Sequence, residues 1–250
     1  VSQMATHHEP AICIRHWDFS DTSQTVGMFC RTSGIVRGIA KGARRERGAF
    51  SGGMDLLTMG ELSWIEARTG DLCTLTSWSP SESWPALRNS SRANTGAWYV
   101  LECIGRMLEP YDPHPELFDS IVATFHGFTA GEVDASMVRF LWSLLGETGF
   151  GPRLTIPTTE TCAFDPGMGC IEHTTEQTWT VRSSTLLAID RAIRRDPALA
   201  AADALRGATL LAACVRHHLQ LEPATQTAFF GPIPQGTRVV QRRGTDPQHS

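Results

Sequence analysis

No run of apolar residues in this chain approaches the roughly 18 that a membrane-spanning helix needs. Residues 1–10 carry histidine and glutamate where a secretory leader would be apolar. Both features point to a cytoplasmic protein. The seven cysteines are odd in number and lack close pairing, which argues against a disulfide framework; Cys13, Cys30, Cys103 and Cys214 sit among apolar neighbours and read as reduced core thiols. Catalytic signatures are missing as well: there is no G-x-S-x-G turn, no glycine loop ending in Lys-Ser or Lys-Thr, and no H-E-x-x-H. Cys103 and His126 would need a third partner to act as nucleophile and base, and both fall on amphipathic helical stretches, so a packed thiol and a surface imidazole is the simpler reading. Neighbouring His217 and His218 point in different directions on a helix and make no metal site. What is left is a non-enzymatic protein.

Lysine is nearly absent too. Lys41 is the only one, so arginine carries almost all the positive charge. The net charge of −4 argues against a polyanionic partner only if it is spread evenly, and it is not. Between Ala11 and Arg47 the cations Arg15, Arg31, Arg37, Lys41, Arg44, Arg45 and Arg47 face only Asp18, Asp21 and Glu46. Seven against three is +4 for this stretch, which leaves −8 for the remainder.

With 41% hydrophobic residues over 250 positions, the chain can bury a substantial core. Its first third reads as β structure, with strands predicted at Ala11 to Arg15, Thr25 to Cys30, Ile35 to Ala40, Met54 to Ala67 and Leu72 to Trp78. Alternation is clearest where Leu62 and Trp64 oppose Ser63 and Ile65. Turn residues at 31–34 and 68–71 and the glycine-rich stretch 48–53 separate the strands. Short strands so closely spaced suggest a small closed barrel such as an OB-fold, here residues 1–80.

Beyond Pro80 the period becomes helical, and a domain boundary is expected near Ser81 to Arg88. Ala97, Leu101, Ile104 and Leu108 form one stripe, ended by Pro110 and Pro113. Pro115 opens a second helix; Val133 to Leu145 makes a third that ends at Gly149; two more fit Ser184 to Arg195 and Ala200 to Gln220. The fold class is therefore α+β, a barrel followed by a helical domain over 81–231, with 232–250 a Pro-, Gly- and Arg-rich disordered tail.

The strongest local signal runs from Gly34 to Arg45: a tight turn, a strand, then Gly42 amid the basic cluster Lys41, Arg44 and Arg45. It places cations on a loop at the barrel rim, where guanidinium groups can meet phosphates and stack on unpaired bases. A solvated surface loop is the bland alternative.

This segment resembles the RecO family, whose N-terminal barrel has a strand, a turn and an Ala-Lys-Gly-Ala-Arg-type loop, here Ala40 to Arg44. Phe19 to Ser23 and Val26 to Phe29 are similar to the family's segment before and within its second strand, with Asp21 where glutamate is usual. Ala97 to Glu102 and Pro115 to Phe118 resemble its first helical elements, and Phe140 to Leu145 with Gly149 to Leu154 resembles the exit toward its zinc module. The ordered match covers about residues 11–154, and more faintly 183–231. The resemblance implies an OB-fold joined to a helical domain that binds single-stranded and duplex DNA and anneals complementary strands. It implies RecR and single-strand-binding protein as partners, and loading of RecA as the outcome. The expected DNA contacts are Arg15, Arg31, Arg37, Lys41, Arg44, Arg45 and Arg47.

One departure matters. Many members carry two C-x-x-C pairs after the helix exit, whereas about 155–180 here has only Cys162 and Cys170. Asp165 and His173 at the matching spacings could imitate the missing ligands, but structural zinc favours thiolate and imidazole, and only four residues separate the two pairs. A degenerate module without zinc is expected, with Cys162, Cys170 and His173 the ligand candidates if metal is kept. The competing reading is a protein-interaction adaptor of the same fold that has lost DNA binding.

Overall fold

A computed structural model describes residues 5–18, 23–43, 49–50, 54–67, 70–172 and 178–232. Arg44, Arg45, Arg47 and His173 lie outside them, as does the expected tail from residue 233 onward.

Five strands, β1 (Thr6–Asp18), β2 (Gln24–Cys30), β3 (Gly34–Ala40), β4 (Thr58–Ile65) and β5 (Cys73–Ser83), close into a barrel of order β1-β2-β3-β5-β4. Closure comes from two pairings: β1 runs antiparallel to β4, and β3 meets β5 in a short parallel ladder from Gly38↔Cys73 to Ala40↔Leu75. This is the OB-fold expected from the sequence. Residues 11, 13, 26, 28, 30, 36, 40, 62, 64, 73, 75 and 78 fill the interior, the period-two face that the alternation in β4 announced.

Two strands are longer than the sequence suggested. β1 begins at Thr6 and β5 continues through Pro80 to Ser83. Pro80 is tolerated because the ladder with β4 breaks register there, between Met59 and Gly60. A Cβ on Gly60 would lie 2.3 Å from the Ser79 carbonyl oxygen, so the chains pass too closely for any side chain.

A 3-10 turn over Pro85–Asn89 leads to α1 (Ser91–Met107), capped by the Ser90 hydroxyl, which accepts the Ala93 N–H at 3.3 Å. Then follow α2 (Pro115–Thr129), α3 (Val133–Glu147), a sheet of β6 (Thr161–Asp165), β7 (Gly169–Ile171) and β8 (Trp179–Arg182), and the helices α4 (Ser183–Ile193), α5 (Ala201–Leu219) and α6 (Gln226–Phe230). Sequence analysis had not assigned the three-stranded sheet, of order β7-β6-β8; it occupies the place of the expected degenerate zinc module.

The barrel's outer face is the floor of the helical domain. Ile12, Ile14, Phe29 and Ile35 belong to the same buried cluster as α1 to α5. Phe29 packs on Phe118 with ring centroids 5.9 Å apart, and the Tyr111 N–H donates to the Ile35 carbonyl at 3.1 Å. Glu9, almost fully buried, ties down the β2–β3 turn by accepting the Thr32 N–H at 2.6 Å, the Thr32 hydroxyl at 2.7 Å and the Ser33 hydroxyl.

Glu102 on α1 holds the segment leading into α6. It accepts the Ala224 N–H at 2.9 Å, the Thr225 N–H at 2.8 Å, the Thr225 hydroxyl at 2.6 Å and Arg106 Nε at 2.7 Å. Burial pushes its carboxyl pKa up, but these hydrogen bonds together outweigh it and hold the group below the usual carboxylate value. A depressed folded pKa gives stability that is fully present above the unfolded value of about 4.3 and is lost as pH falls through the folded one. Glu102→Gln should therefore cost about 1 kcal/mol at pH 7, roughly 2–4 °C in melting temperature, the partly exposed setting keeping the figure low. The gap between variant and unaltered chain should narrow when both are melted near pH 3; a gap of constant size would contradict this account.

Candidate nucleic-acid interface

Strict alternation along β1 would send Arg15 and Trp17 inward, because Ala11 and Cys13 point into the barrel. They face out instead. Cys13 pairs with Met28 and Arg15 with Gly27, so Ile14 is an extra residue, a bulge that reverses the phase of everything after it. Arg15 thereby joins the outer face of β2 and β3, where Gly27 pairs with Arg37. The result is a cross-strand row, Arg15, Gly27, Arg37, with two exposed guanidinium groups on either side of a residue without a side chain.

Trp17 completes the row. Its ring, 40% exposed, lies 4.9 Å from the Arg15 guanidinium carbon, a cation–π contact that restrains the arginine while leaving its charge available. Lys41 follows β3 in an exposed turn, before Gly42 at φ +72°. A shallow hollow lined by Arg15, Trp17, Gly27 and Arg37 reaches Gly105 and Leu108 of α1 and its exit. Cations beside an aromatic on an open β face can bind phosphates and stack on bases.

The structure thus brings Arg15 and Arg37 together, with Lys41 beyond the end of the same strand. Arg31 is elsewhere. Its Nε and Nη2 hold the Asp119 carboxylate at 3.0 and 2.8 Å, which ties the β2–β3 turn to α2. That hydrogen-bonded pairing raises the Arg31 pKa and lowers that of Asp119. Trp17 was missed by sequence reasoning, since its exposure depends on the bulge at Ile14, for which the sequence has no glycine marker.

The cysteines divide in two. Cys13, Cys30, Cys73, Cys103 and Cys214 are free and buried, and burial pushes the thiols of Cys13 and Cys103 up to about 12. Cys103 is a packed core thiol, and His126 stands 3.3 Å from Glu82. Cys162 and Cys170 form a disulfide across β6 and β7, Cα to Cα 6.1 Å, which corrects the reading of unpaired cysteines. Their thiols are used on each other, and among the described residues no group of three or more His, Cys, Asp or Glu side chains is placed to hold a metal. No described helix is long and apolar enough to cross a membrane.

A closed barrel of this strand order, with an arginine and aromatic face and a helical domain packed on its side, defines an OB-fold protein of mixed α+β class. The chain belongs to the recombination protein O family: the family's N-terminal model matches residues 4–84 and its C-terminal model residues 88–225. It is similar to the DNA repair protein RecO of Rhodopirellula baltica, 32% identical over 155 residues, which is 58% of this chain and 56% of that one. The DNA repair protein RecO of Idiomarina loihiensis is 30% identical over 140 residues, 56% of this chain and 59% of the relative. That of Dechloromonas aromatica is 30% identical over 202 residues, 76% and 82% of the two chains. The chain spans little more than half the length of the first two relatives.

Proposed function

We propose that this chain is a non-enzymatic mediator of DNA repair that binds single-stranded and duplex DNA on its barrel and anneals complementary strands. With RecR and single-strand-binding protein as partners, it helps load RecA onto single strands. Family membership supports the role in repair, and the exposed row of Arg15 and Arg37 beside Trp17 is the observation that carries DNA binding. Phosphates meet the two guanidinium groups and Lys41, and unpaired bases stack on the arginine planes and the indole.

The adaptor reading draws on Arg31, whose charge is used internally by Asp119. Anisotropy titration of a labelled oligothymidylate at two salt concentrations separates the two. Neutralising three phosphates predicts a logarithmic salt slope of about −2, at about 0.7 for each contact on a single strand. Absence of binding at low salt, together with co-elution with RecR, would favour the adaptor.

A further inference from the structure

The hollow beside Arg15 does not end at the barrel. It shares Ile14, Arg15 and Gly105 with a larger cleft of about 800 Å³ between β1, α1 and the segment leading to α6. The two concavities adjoin at these residues, and the far half of the larger one is lined by Trp98, Arg106 and Leu221. Trp98 is 38% exposed and Leu221 52% exposed, so apolar surface lies open there.

We propose that a bound single strand leaves the barrel face and continues through this cleft, with Trp98 as a base-stacking platform and Arg106 as a phosphate contact. This rests on the reading of the barrel as the DNA-binding face. Three observations carry the extension. The first is charge: Arg37 and Arg15 line the path together with Arg106, whose Nε is engaged by Glu102, so three cations stand against one carboxylate that also accepts the N–H groups of Ala224 and Thr225. In a chain of net charge −4, that is a local surplus of positive charge.

The second is the floor. A Cβ on Gly105 would meet nothing within 4 Å, and one on Gly27 would meet only ordinary contacts, the nearest at 3.5 Å. Packing within the chain requires glycine at neither place, and a glycine inside a helix or strand is unfavourable for the element. Bare backbone along a channel lets a ligand chain approach closely. The third is the Trp98 ring, oriented by its Nε1–H donating to Asn94 Oδ1 at 3.2 Å. A ligand with regularly spaced anions and flat apolar groups matches all three, and single-stranded DNA is such a ligand; a duplex keeps its bases stacked on one another.

The test uses the full chain, a labelled oligothymidylate of about 20 nucleotides, long enough to cover the barrel and run beyond it, and anisotropy as readout. Trp98→Ala should weaken binding about tenfold, the range of one stacked base, and Trp98→Phe should restore most of the loss. Gly105→Glu should weaken binding more than Gly105→Gln, because both side chains fill the floor alike and only the carboxylate repels phosphates. A difference between two side chains of one shape at an open position cannot come from misfolding. If Arg15→Ala with Arg37→Ala lowers affinity while the Trp98 variants bind as the unaltered chain does, the strand stops at the barrel and this inference is wrong, the barrel reading standing. Equal binding by the two Gly105 variants also overturns it. If the double arginine variant binds normally, the barrel reading itself fails and the extension fails with it.

Discussion

Replacing Arg15 and Arg37 together by alanine is expected to weaken binding of single-stranded DNA by about 30- to 150-fold, two charge-assisted contacts at about 1–1.5 kcal/mol each. The row they form across β1, β2 and β3 places both guanidinium groups on one exposed face, so one strand can engage both. Each lost phosphate contact removes about 0.7 from the logarithmic salt slope, so the slope should flatten by about 1.4. Preference among base sequences should hardly move, because phosphate contacts and stacking on arginine planes are both tolerant of base identity. Stability should shift by about 0.5 kcal/mol or less, both side chains being exposed. Arg31→Ala makes an informative contrast: it should disturb the link to Asp119 and leave the salt slope where it was. Anisotropy over a salt series checks all of this. A double variant that stays folded with unchanged affinity and slope would remove the row as the DNA face, and the rim loop with Arg44, Arg45 and Arg47 would become the place to look.

How far the sequence carried this picture depended on whether a local signal matched the tertiary outcome. The barrel was legible because β4 alternates strictly between buried and open positions, and the helices because their stripes keep one period between clear stops such as Pro113 and Gly149. The row of arginines was only half legible. Residue type and charge count picked out Arg15 and Arg37 as cations of the barrel segment, but nothing in the string shows that Ile14 is an extra residue in its ladder. Without that bulge Arg15 would point into the interior. The pairing of Arg31 was hidden in another way: its partner Asp119 lies 88 positions along the chain, beyond any local pattern. The sheet of β6 to β8 escaped because strands of five, three and four residues are too short to display a period. The Cys162–Cys170 pair depends on the same hidden hairpin.

Gly34, the first residue of the family-like segment, should be the least replaceable glycine of the barrel. It takes φ +68°, which a side chain resists, and a Cβ there would lie 2.2 Å from the carbonyl oxygen of Asp112 and 2.7 Å from its nitrogen. Asp112 belongs to the strap between α1 and α2 that crosses the start of β3, fixed by the Tyr111 N–H to the Ile35 carbonyl. The obstacle is backbone, so it cannot swing aside as a side chain would. Gly34→Ala must carry left-handed strain and push the strap off the barrel, for a loss of about 3 kcal/mol or more and a fall of roughly 6–12 °C in melting temperature. Gly70→Ala isolates the second contribution. Gly70 has φ +84° but open space around its Cβ, so it should cost about 1 kcal/mol, the backbone strain alone. Amide exchange at Tyr111 should also quicken in Gly34→Ala and stay slow in Gly70→Ala, because only the first lifts the strap that hydrogen bond secures. Equal melting temperatures for the two variants would mean that the strap yields freely, and that the barrel and the helical domain are not locked together at this turn.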